Sequence, residues 1–169
     1  DYREIVILIR RNTEGILIAN HLTENNIPIV SSETLLISNS DEVIFLINLL
    51  EFIKNRKNTQ AKANFLYYLG RNLGVNPIHD FLKKGIEFHN EKEFEEWLQP
   101  FGIEFSFEET RRKPLYEATE ILVETFLKKS NNIYVQSFLD LVLEQNIRSQ
   151  SNIDDFLEFW KKDGHKKSI

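Results

Sequence analysis

Residues 39 to 54, which read NSDEVIFLINLLEFIK, decide the fold class of this chain. Asn39 is followed three residues later by Glu42, the spacing of a capping box, and this spacing predicts the start of a helix. From there to about Lys54 the stretch is apolar at most positions, so more than one face of the helix is expected to be covered. The sequence therefore predicts a largely buried helix here.

Helix signals continue after this stretch, while strand signals nearly vanish. Five further predicted helices begin with a capping Asn or with a Pro in the first turn, followed by apolar residues at helical spacing. These starts are Asn76-Pro77, Asn90 with Glu93, Pro114, Asn132 and Asn152. Residues 102 to 107 alternate in polarity, so they fit either a short strand or a loop that pins two phenylalanines into the core. We expect residues 38–169 to form a helical subdomain of about six or seven helices.

The amino-terminal residues carry a different pattern. Glu4 to Ile9 is a continuous β-branched and apolar run, which is typical of a strand covered on both faces. A helix starting at Asn12 or Thr13 and a second short run, Ile27 to Val30, would complete one βαβ unit. Such a small sheet leaves strand edges unpaired, so it requires neighbouring strands. The predicted fold is therefore mainly α with a small N-terminal α/β (βαβ) piece in residues 1–37.

Composition excludes several classes of protein. The chain has 169 residues, 41% of them hydrophobic and 13 of them Phe, which is enough to bury a core and argues against disorder. It contains no Cys, which excludes disulfides, thiolate metal sites and a thiol nucleophile. No apolar run approaches the length of a membrane span. We expect a cytoplasmic protein with no membrane partner.

The chain also lacks Met and begins at Asp1. A natural reading frame starts with Met, and Asp1 directly precedes a predicted strand. We therefore expect this sequence to be a fragment of a longer protein.

The sequence contains no catalytic or metal-binding motif that we can identify. The histidines, at 21, 79, 89 and 165, have no zinc-site spacing, so no metal site is predicted. The glutamates between Glu87 and Glu109 are interpreted as solvated helix faces, because nothing directs two of them into one dry site. No nucleophile elbow and no glycine-rich phosphate loop is present. No complete catalytic site is predicted in this chain.

Two basic clusters stand out in an acidic chain of net charge -5. The first comprises Lys54, Arg56, Lys57 and Lys62, and the second lies between Lys161 and Lys167. Local positive charge of this kind is attracted to nucleic-acid phosphates even when the whole protein is acidic. The first cluster is our candidate DNA-binding group, and the alternative is that both clusters only keep the surface solvated.

Arg10, with Arg11 and Asn12, directly follows the predicted first strand. Ligands of parallel α/β sheets bind at the carboxyl ends of strands, and an arginine there is suited to bidentate contact with a phosphate. Strands also often end in a solvated basic residue, so the position alone does not decide between the two roles.

The run Ile5-Val6-Ile7-Leu8-Ile9-Arg10-Arg11-Asn12, followed by a helix and then Ile27-Pro28-Ile29-Val30, resembles the motif IV segment of UvrD/Rep-family superfamily 1 DNA helicases. The later step Asp41-Glu42-Val43 is similar to the Glu-Val step of that family. The carboxyl end, with Phe156 to Trp160, resembles the end of the helical insertion in the helicase-nuclease branch, the AddA and RecB type. The middle of the chain is only generically helical.

The resemblance implies a partial RecA-like motor lobe in residues 1–37 and a 2B-like insertion in residues 38–169. It implies that Arg10 contacts an ATP phosphate. Where the family often has a Tyr that stacks on adenine, this chain has Ile9. The parent protein would use ATP and Mg²⁺, whereas the fragment alone would bind neither and would be inactive as an enzyme.

Two functions follow from these observations. The first is a fragment of an ATP-dependent DNA helicase in DNA unwinding and repair, whose insertion contacts DNA or a second helicase-nuclease subunit. The second is a free-standing helical module that binds another protein and has no catalytic activity. A self-sufficient hydrolase has no group of residues to support it.

Overall fold

The computed structural model describes residues 4–27, 29, 36–127, 132–149 and 151–169. Within these ranges the chain forms nine α-helices, joined by turns and three short 3₁₀ turns, and no strand longer than an isolated bridge. In chain order the helices are α1 (Asn12–Glu24), α2 (Asp41–Lys54), α3 (Thr59–Asn72), α4 (Ile78–Glu87), α5 (Glu91–Leu98), α6 (Phe107–Arg111), α7 (Leu115–Phe126), α8 (Ile133–Ser149) and α9 (Ile153–Lys162). The prediction of a mainly α fold is confirmed.

Helix α2 is the central element of the core. It contacts α3, α6, α7, α8 and α9, and Val43, Leu46, Leu49 and Ile53 are inaccessible to solvent. The capping residue is Ser40 rather than Asn39, because the Ser40 hydroxyl accepts a hydrogen bond from the Val43 amide at 3.4 Å. The buried helix predicted from the sequence is therefore present, with its cap one residue later.

Aromatic rings fill the space between α2, α3 and α5. Phe52 of α2 lies 5.5 Å from Phe65 and 5.3 Å from Phe107 between ring centroids, and Phe94 of α5 stacks on Phe107 at 5.6 Å. Edge-to-face and offset pairs of this kind add stability beyond the area that they bury. This cluster fixes α5 and the following segment against the amino-terminal part of the bundle.

The predicted caps of α8 and α9 are confirmed. The side-chain oxygen of Asn132 accepts a hydrogen bond from the Tyr134 amide at 2.9 Å. Asn152 and Asp155 form a reciprocal capping box at the start of α9. Before α4 and α7 the prolines occupy the cap position itself, so each helix begins one residue later than the sequence suggested.

Residues 102 to 106 form a loop that leads into Phe107, the first residue of α6, in line with the second of the two alternatives. Ile103 and Phe107 are buried, and Phe105 packs edge-on to Phe107 with centroids 4.8 Å apart. Ser106 then caps the one-turn helix α6, which the sequence analysis did not predict. The alternation in this stretch reflects side chains anchored in the core of the bundle.

The amino-terminal βαβ piece is not seen among the described residues. Its helix is present as α1, which contacts α8, but residues 5 to 9 form no strand. Of the second predicted strand, Ile27 and Ile29 are irregular, and Pro28 and Val30 lie outside the described residues. A strand requires a hydrogen-bonding neighbour, and none of the described residues supplies one for residues 5 to 9.

The chain enters and leaves the helical body at one place. The Ile37 amide donates a hydrogen bond to the Lys167 carbonyl oxygen at 2.9 Å, and Leu36 forms an antiparallel bridge with Ser168. The Ser38 hydroxyl also donates to the His165 carbonyl oxygen at 2.7 Å. We call these contacts, between residues 36–38 and 165–168, the neck.

Candidate nucleic-acid interface

Three of the four predicted DNA-binding residues lie together at the turn between α2 and α3. The turn is closed by the Asn58 amide, which donates to the Asn55 carbonyl oxygen at 2.8 Å. The Lys57 amide donates to the side-chain oxygen of Asn55 at 3.1 Å. These contacts leave Arg56 and Lys57 exposed at the tip of the turn, directly after the exposed Lys54.

A cleft of about 500 Å³ opens beside this turn, and its lining mixes both signs of charge. The lining residues are Lys54, Asn55, Arg56, Lys57, Glu91, Glu108 and Arg111.

The carboxylates of the cleft are already paired. The Arg111 guanidinium binds both carboxylate oxygens of Glu91, and Glu108 forms an ion pair with Arg112. On the cationic side, the Lys54 ammonium lies 3.0 Å from a carboxylate oxygen of Asp154.

Arg56 and Lys57 are left as the free cations of this surface. Neither has an ion pair within the described part of the chain. Exposed cations without a carboxylate partner are available to a phosphate, whereas Lys54 would first have to leave Asp154. The cluster predicted from the sequence therefore has Arg56 and Lys57 as its two unpaired members.

The structure does not bring Lys62 to this surface. Lys62 is only 4% exposed, and its ammonium donates to the Phe88 carbonyl oxygen at 2.6 Å. The same nitrogen lies 4.3 Å from the centroid of Phe94 and 5.6 Å from that of Phe52, within range of a cation–π contact. Lys62 is thus part of the aromatic core and is withdrawn from the candidate DNA-binding group.

Burial changes the protonation of Lys62. Loss of solvation lowers the pKa of its ammonium from the usual 10.5 to about 8, because the charged form is penalised and only one carbonyl and two aromatic rings compensate it. A buried lysine with an altered pKa is a feature that the charge pattern of the sequence could not reveal.

Arg10 lies outside the helical body, at the end of an exposed apolar run. Ile5, Val6 and Leu8 are 65%, 79% and 92% exposed, and Arg10 is exposed as well. Its backbone amide donates to a carboxylate oxygen of Glu14 at 3.4 Å, while no ion pair involves its guanidinium among the described residues. Arg10 is available for contact with an external anion.

The basic cluster at the carboxyl end has structural partners. The Lys161 ammonium lies 3.0 Å from a carboxylate oxygen of Glu51 on α2, and that of Lys166 lies 3.3 Å from Asp163. The first pair ties α9 to the central helix. Lys162 and Lys167, the other two members, are exposed and have no ion pair among the described residues, so this cluster keeps two unpaired cations, as the α2–α3 turn does.

Sequence reasoning missed one exposed aromatic residue beside a cation. Tyr67 of α3 is 49% exposed, and the guanidinium carbon of Arg71, one helical turn later, lies 5.9 Å from its ring centroid. The feature of the sequence that could have pointed to this surface is its charge pattern. Residues 52 to 79 contain five Lys or Arg and no Asp or Glu.

The described residues contain no group of three or more His, Asp or Glu side chains that could hold a metal ion. Two of the glutamates interpreted as solvated have structural contacts instead. Glu91 pairs with Arg111, and a carboxylate oxygen of Glu95 accepts the Phe107 amide at 2.7 Å. None of the helices in the described ranges has both the length and the apolar character that a membrane crossing requires.

Comparison of the chain with protein-family models, with curated proteins and with solved structures gives no match.

Proposed function

We propose that this chain is part of an ATP-dependent DNA helicase of the UvrD/Rep type, with residues 38–169 as an inserted helical subdomain that contacts DNA. The observation that carries the proposal is the exposed apolar run Ile5 to Leu8, which leads directly to the exposed Arg10. Large apolar side chains at this level of exposure mark a surface that is covered in the functional assembly.

The sequence of this run favours a sheet as its cover. β-branched residues dominate it, and its backbone has no hydrogen-bonding partner among the described residues. Pairing with strands of a motor lobe would satisfy both the backbone groups and the side chains. Arg10 would then stand at the carboxyl edge of that sheet, where phosphates bind in open α/β folds.

The neck supports the interpretation of the helical body as an insertion. A subdomain inserted into a host fold must begin and end at neighbouring points, and Ile37 and Lys167 are joined by a hydrogen bond.

Arg10 fits a single phosphate contact, but the described residues offer no glycine-rich cradle and no carboxylate set for Mg²⁺. ATP and Mg²⁺ therefore belong to the parent protein in this proposal. We do not expect the chain alone to hydrolyse ATP. The contact of Arg10 with an ATP phosphate is its one proposed part in the reaction.

The coding sequence on either side of this segment tests the proposal. A helicase parent predicts a Walker A loop upstream and a Thr-x-His-type motor motif downstream in the same frame. Stop codons close to both ends would overturn the proposal.

A second candidate function is a helical interaction module without enzymatic activity. It is favoured by Leu143 and Ile147 on α8, which are one helical turn apart and 37% and 73% exposed. An apolar pair of this kind is typical of a helix surface that docks on a partner. This candidate predicts no binding of DNA at low salt, which separates it from the helicase proposal.

A further inference from the structure

We propose that the exposed face of α3, together with the α2–α3 turn, binds single-stranded DNA. In this proposal Tyr67 stacks on a base, and Arg71, Arg56 and Lys57 contact phosphates. The inference rests on the proposed function, because it identifies the surface through which the insertion would hold the displaced strand.

The face is defined by Gln60, Asn64, Tyr67 and Arg71, all of which are exposed. Their spacing of i, i+4, i+7 and i+11 places them along one side of a helix, over a length of about 16 Å. The opposite side of α3 is buried through Ala61, Phe65 and Leu69. Residues of the turn precede Gln60, so the free cations Arg56 and Lys57 lie at the amino-terminal end of the face.

Polar side chains of the face are held in place by contacts with each other and with α2. The Gln60 amide nitrogen donates to the Asn64 side-chain oxygen at 2.9 Å, and the Asn64 amide nitrogen donates to the Asn48 side-chain oxygen at 2.9 Å. Asn48 in turn donates to the Ile44 carbonyl oxygen at 2.7 Å. A preorganised surface loses less conformational entropy when a ligand binds.

Tyr67 and Arg71 supply the stacking element. The Tyr67 ring is half exposed, and Arg71 lies against it, so the ring is restrained while part of it stays accessible. Base–aromatic stacking is worth about 1–3 kcal/mol per base and tolerates any base. A guanidinium beside the ring places a positive charge near the phosphate of the stacked nucleotide.

Charge distinguishes this segment from the rest of the chain. Residues 52 to 79 contain five Lys or Arg and no Asp or Glu, which leaves 16 cations and 26 acids elsewhere, since the whole chain has 21 and 26. Of the five cations, Lys62 is buried and Lys54 is paired. The remaining three are the two of the turn and Arg71.

Carboxylates near the two ends of the face are engaged. At the turn, Glu91 and Glu108 pair with Arg111 and Arg112. At the far end, a carboxylate oxygen of Glu42 accepts a hydrogen bond from the Ser40 hydroxyl at 2.6 Å. The cations of the turn therefore lie beside paired carboxylates, whereas Asp41 and Glu42 carry negative charge close to Tyr68, the neighbour of Tyr67.

A single strand fits this face better than a duplex does. Bases in a duplex are stacked on each other, so a duplex would offer only its phosphates and leave Tyr67 unused. An unpaired base can leave the stack and lie on the exposed ring. The combination of a stacking ring with cations on both sides of it is typical of sites that bind single strands without sequence preference.

The test is fluorescence anisotropy of a labelled oligo-dT of about a dozen nucleotides, titrated with the whole chain at several salt concentrations. We expect Tyr67→Leu to weaken binding about tenfold, because the ring is lost while the helix and its charge remain. Tyr116→Leu, a partly exposed tyrosine on α7, is the matched control and should bind like the wild type. Thermal melts should show that both variants stay folded.

The charge contribution is tested by the double variant Arg56→Gln/Lys57→Gln. Loss of two phosphate contacts should reduce, by about 1.4, the magnitude of the slope of the logarithm of the association constant against the logarithm of the salt concentration. The control variant Lys83→Gln/Lys84→Gln on α4 should leave this slope unchanged. Binding of oligo-dT by Tyr67→Leu with the affinity of the wild type, or equal or tighter binding of duplex DNA by the wild type, would overturn the inference. If the wild type binds oligo-dT and Tyr67→Leu binds equally well, the surface assignment fails while the proposed function stands.

Discussion

Ile37 and Lys167 are joined by a hydrogen bond of 2.9 Å between the amide of the first and the carbonyl oxygen of the second. Ile37 is also part of the hydrophobic core, at 1% exposure. The hydrogen bond therefore joins the carboxyl-terminal segment to a core residue near the start of the helical body. The neck is therefore both the point where the body would join a host fold and a part of its hydrophobic core.

The first prediction concerns Ile37. Ile37→Ala removes buried methyl groups and leaves a cavity at the neck, so we expect the free energy of unfolding to fall by about 2–4 kcal/mol. Urea denaturation followed by circular dichroism measures the change. Leu8→Ala is the control, because Leu8 is 92% exposed and should alter stability by less than about 0.5 kcal/mol. Equal effects of the two substitutions would show that the core does not extend to the neck.

Exposure of the amino-terminal run gives a second prediction. Val6→Lys/Leu8→Lys places charges at positions that are 79% and 92% exposed, so the urea midpoint should stay within error of the wild type. Self-association should decrease, because the exposed apolar run that could pair with another chain is interrupted by charges. Light scattering as a function of protein concentration measures it. A large loss of stability would mean that these side chains are buried in the chain on its own.

Lys62 gives a prediction about pH. Its pKa is lowered to about 8 in the fold and is 10.5 in the unfolded chain, so between these values the unfolded state binds the extra proton and stability rises with pH. At about 1.4 kcal/mol per pKa unit, the contribution of Lys62 should increase stability by about 2 kcal/mol from pH 7 to pH 9.5. Urea denaturation of wild type and Lys62→Met at both pH values isolates this contribution.

Met at position 62 keeps the buried stem and lacks the titrating group, so the variant should not show the increase attributed to Lys62. The same slope in both proteins would contradict the assignment of a buried ammonium. Tyr68 and Tyr134 have pKa values raised above 10.0 by burial, so their titration lies above the pH range used.

Arg111 and Arg112 form a natural pair for a fourth prediction. Arg111 donates to the Ile53 carbonyl oxygen at 2.7 Å and binds Glu91, which links α6 to the end of α2 and to α5. Among the described residues, the side chain of its neighbour Arg112 has only the ion pair with Glu108, and the two side chains are 75% and 57% exposed. Arg111→Leu should cost about 1–2 kcal/mol of stability, since a carbonyl and a carboxylate lose their partner.

Arg112→Leu should change stability by less than about 0.5 kcal/mol, because exposed ion pairs contribute little. Thermal or urea denaturation of both variants measures the difference. If Arg112→Leu is the more damaging of the two, the tertiary role of Arg111 is refuted.

Local signals in the sequence predicted the helices well. The cap of α9 and the buried character of α2 follow from residues within one turn of each other, so they are visible without tertiary information. The predicted βαβ piece is not seen among the described residues, and a strand, unlike a helix, is not a local structure. The run Ile5 to Ile9 has the composition of a strand, but pairing depends on neighbours that the described residues do not provide.

The candidate site was predicted in part for a similar reason. Arg56 and Lys57 are exposed because they occupy a short turn, which the sequence indicates. Lys62 is buried, which the charge pattern does not reveal, because it lies one residue after Ala61 on α3, on the side that packs against Phe52 and Phe94. The pairing of Arg111 with Glu91, twenty residues apart, likewise depends on how α5 and α6 pack.

The proposed contact between Arg10 and an ATP phosphate is tested most directly by DNA-stimulated ATP hydrolysis of the protein that the uninterrupted reading frame encodes, measured for the wild type and for Arg10→Ala. We expect DNA-dependent hydrolysis in the wild type and a loss of about a hundredfold or more in the variant, with binding of single-stranded DNA retained. Absence of DNA-dependent hydrolysis in the wild type, or an unchanged rate in Arg10→Ala, would contradict this proposal.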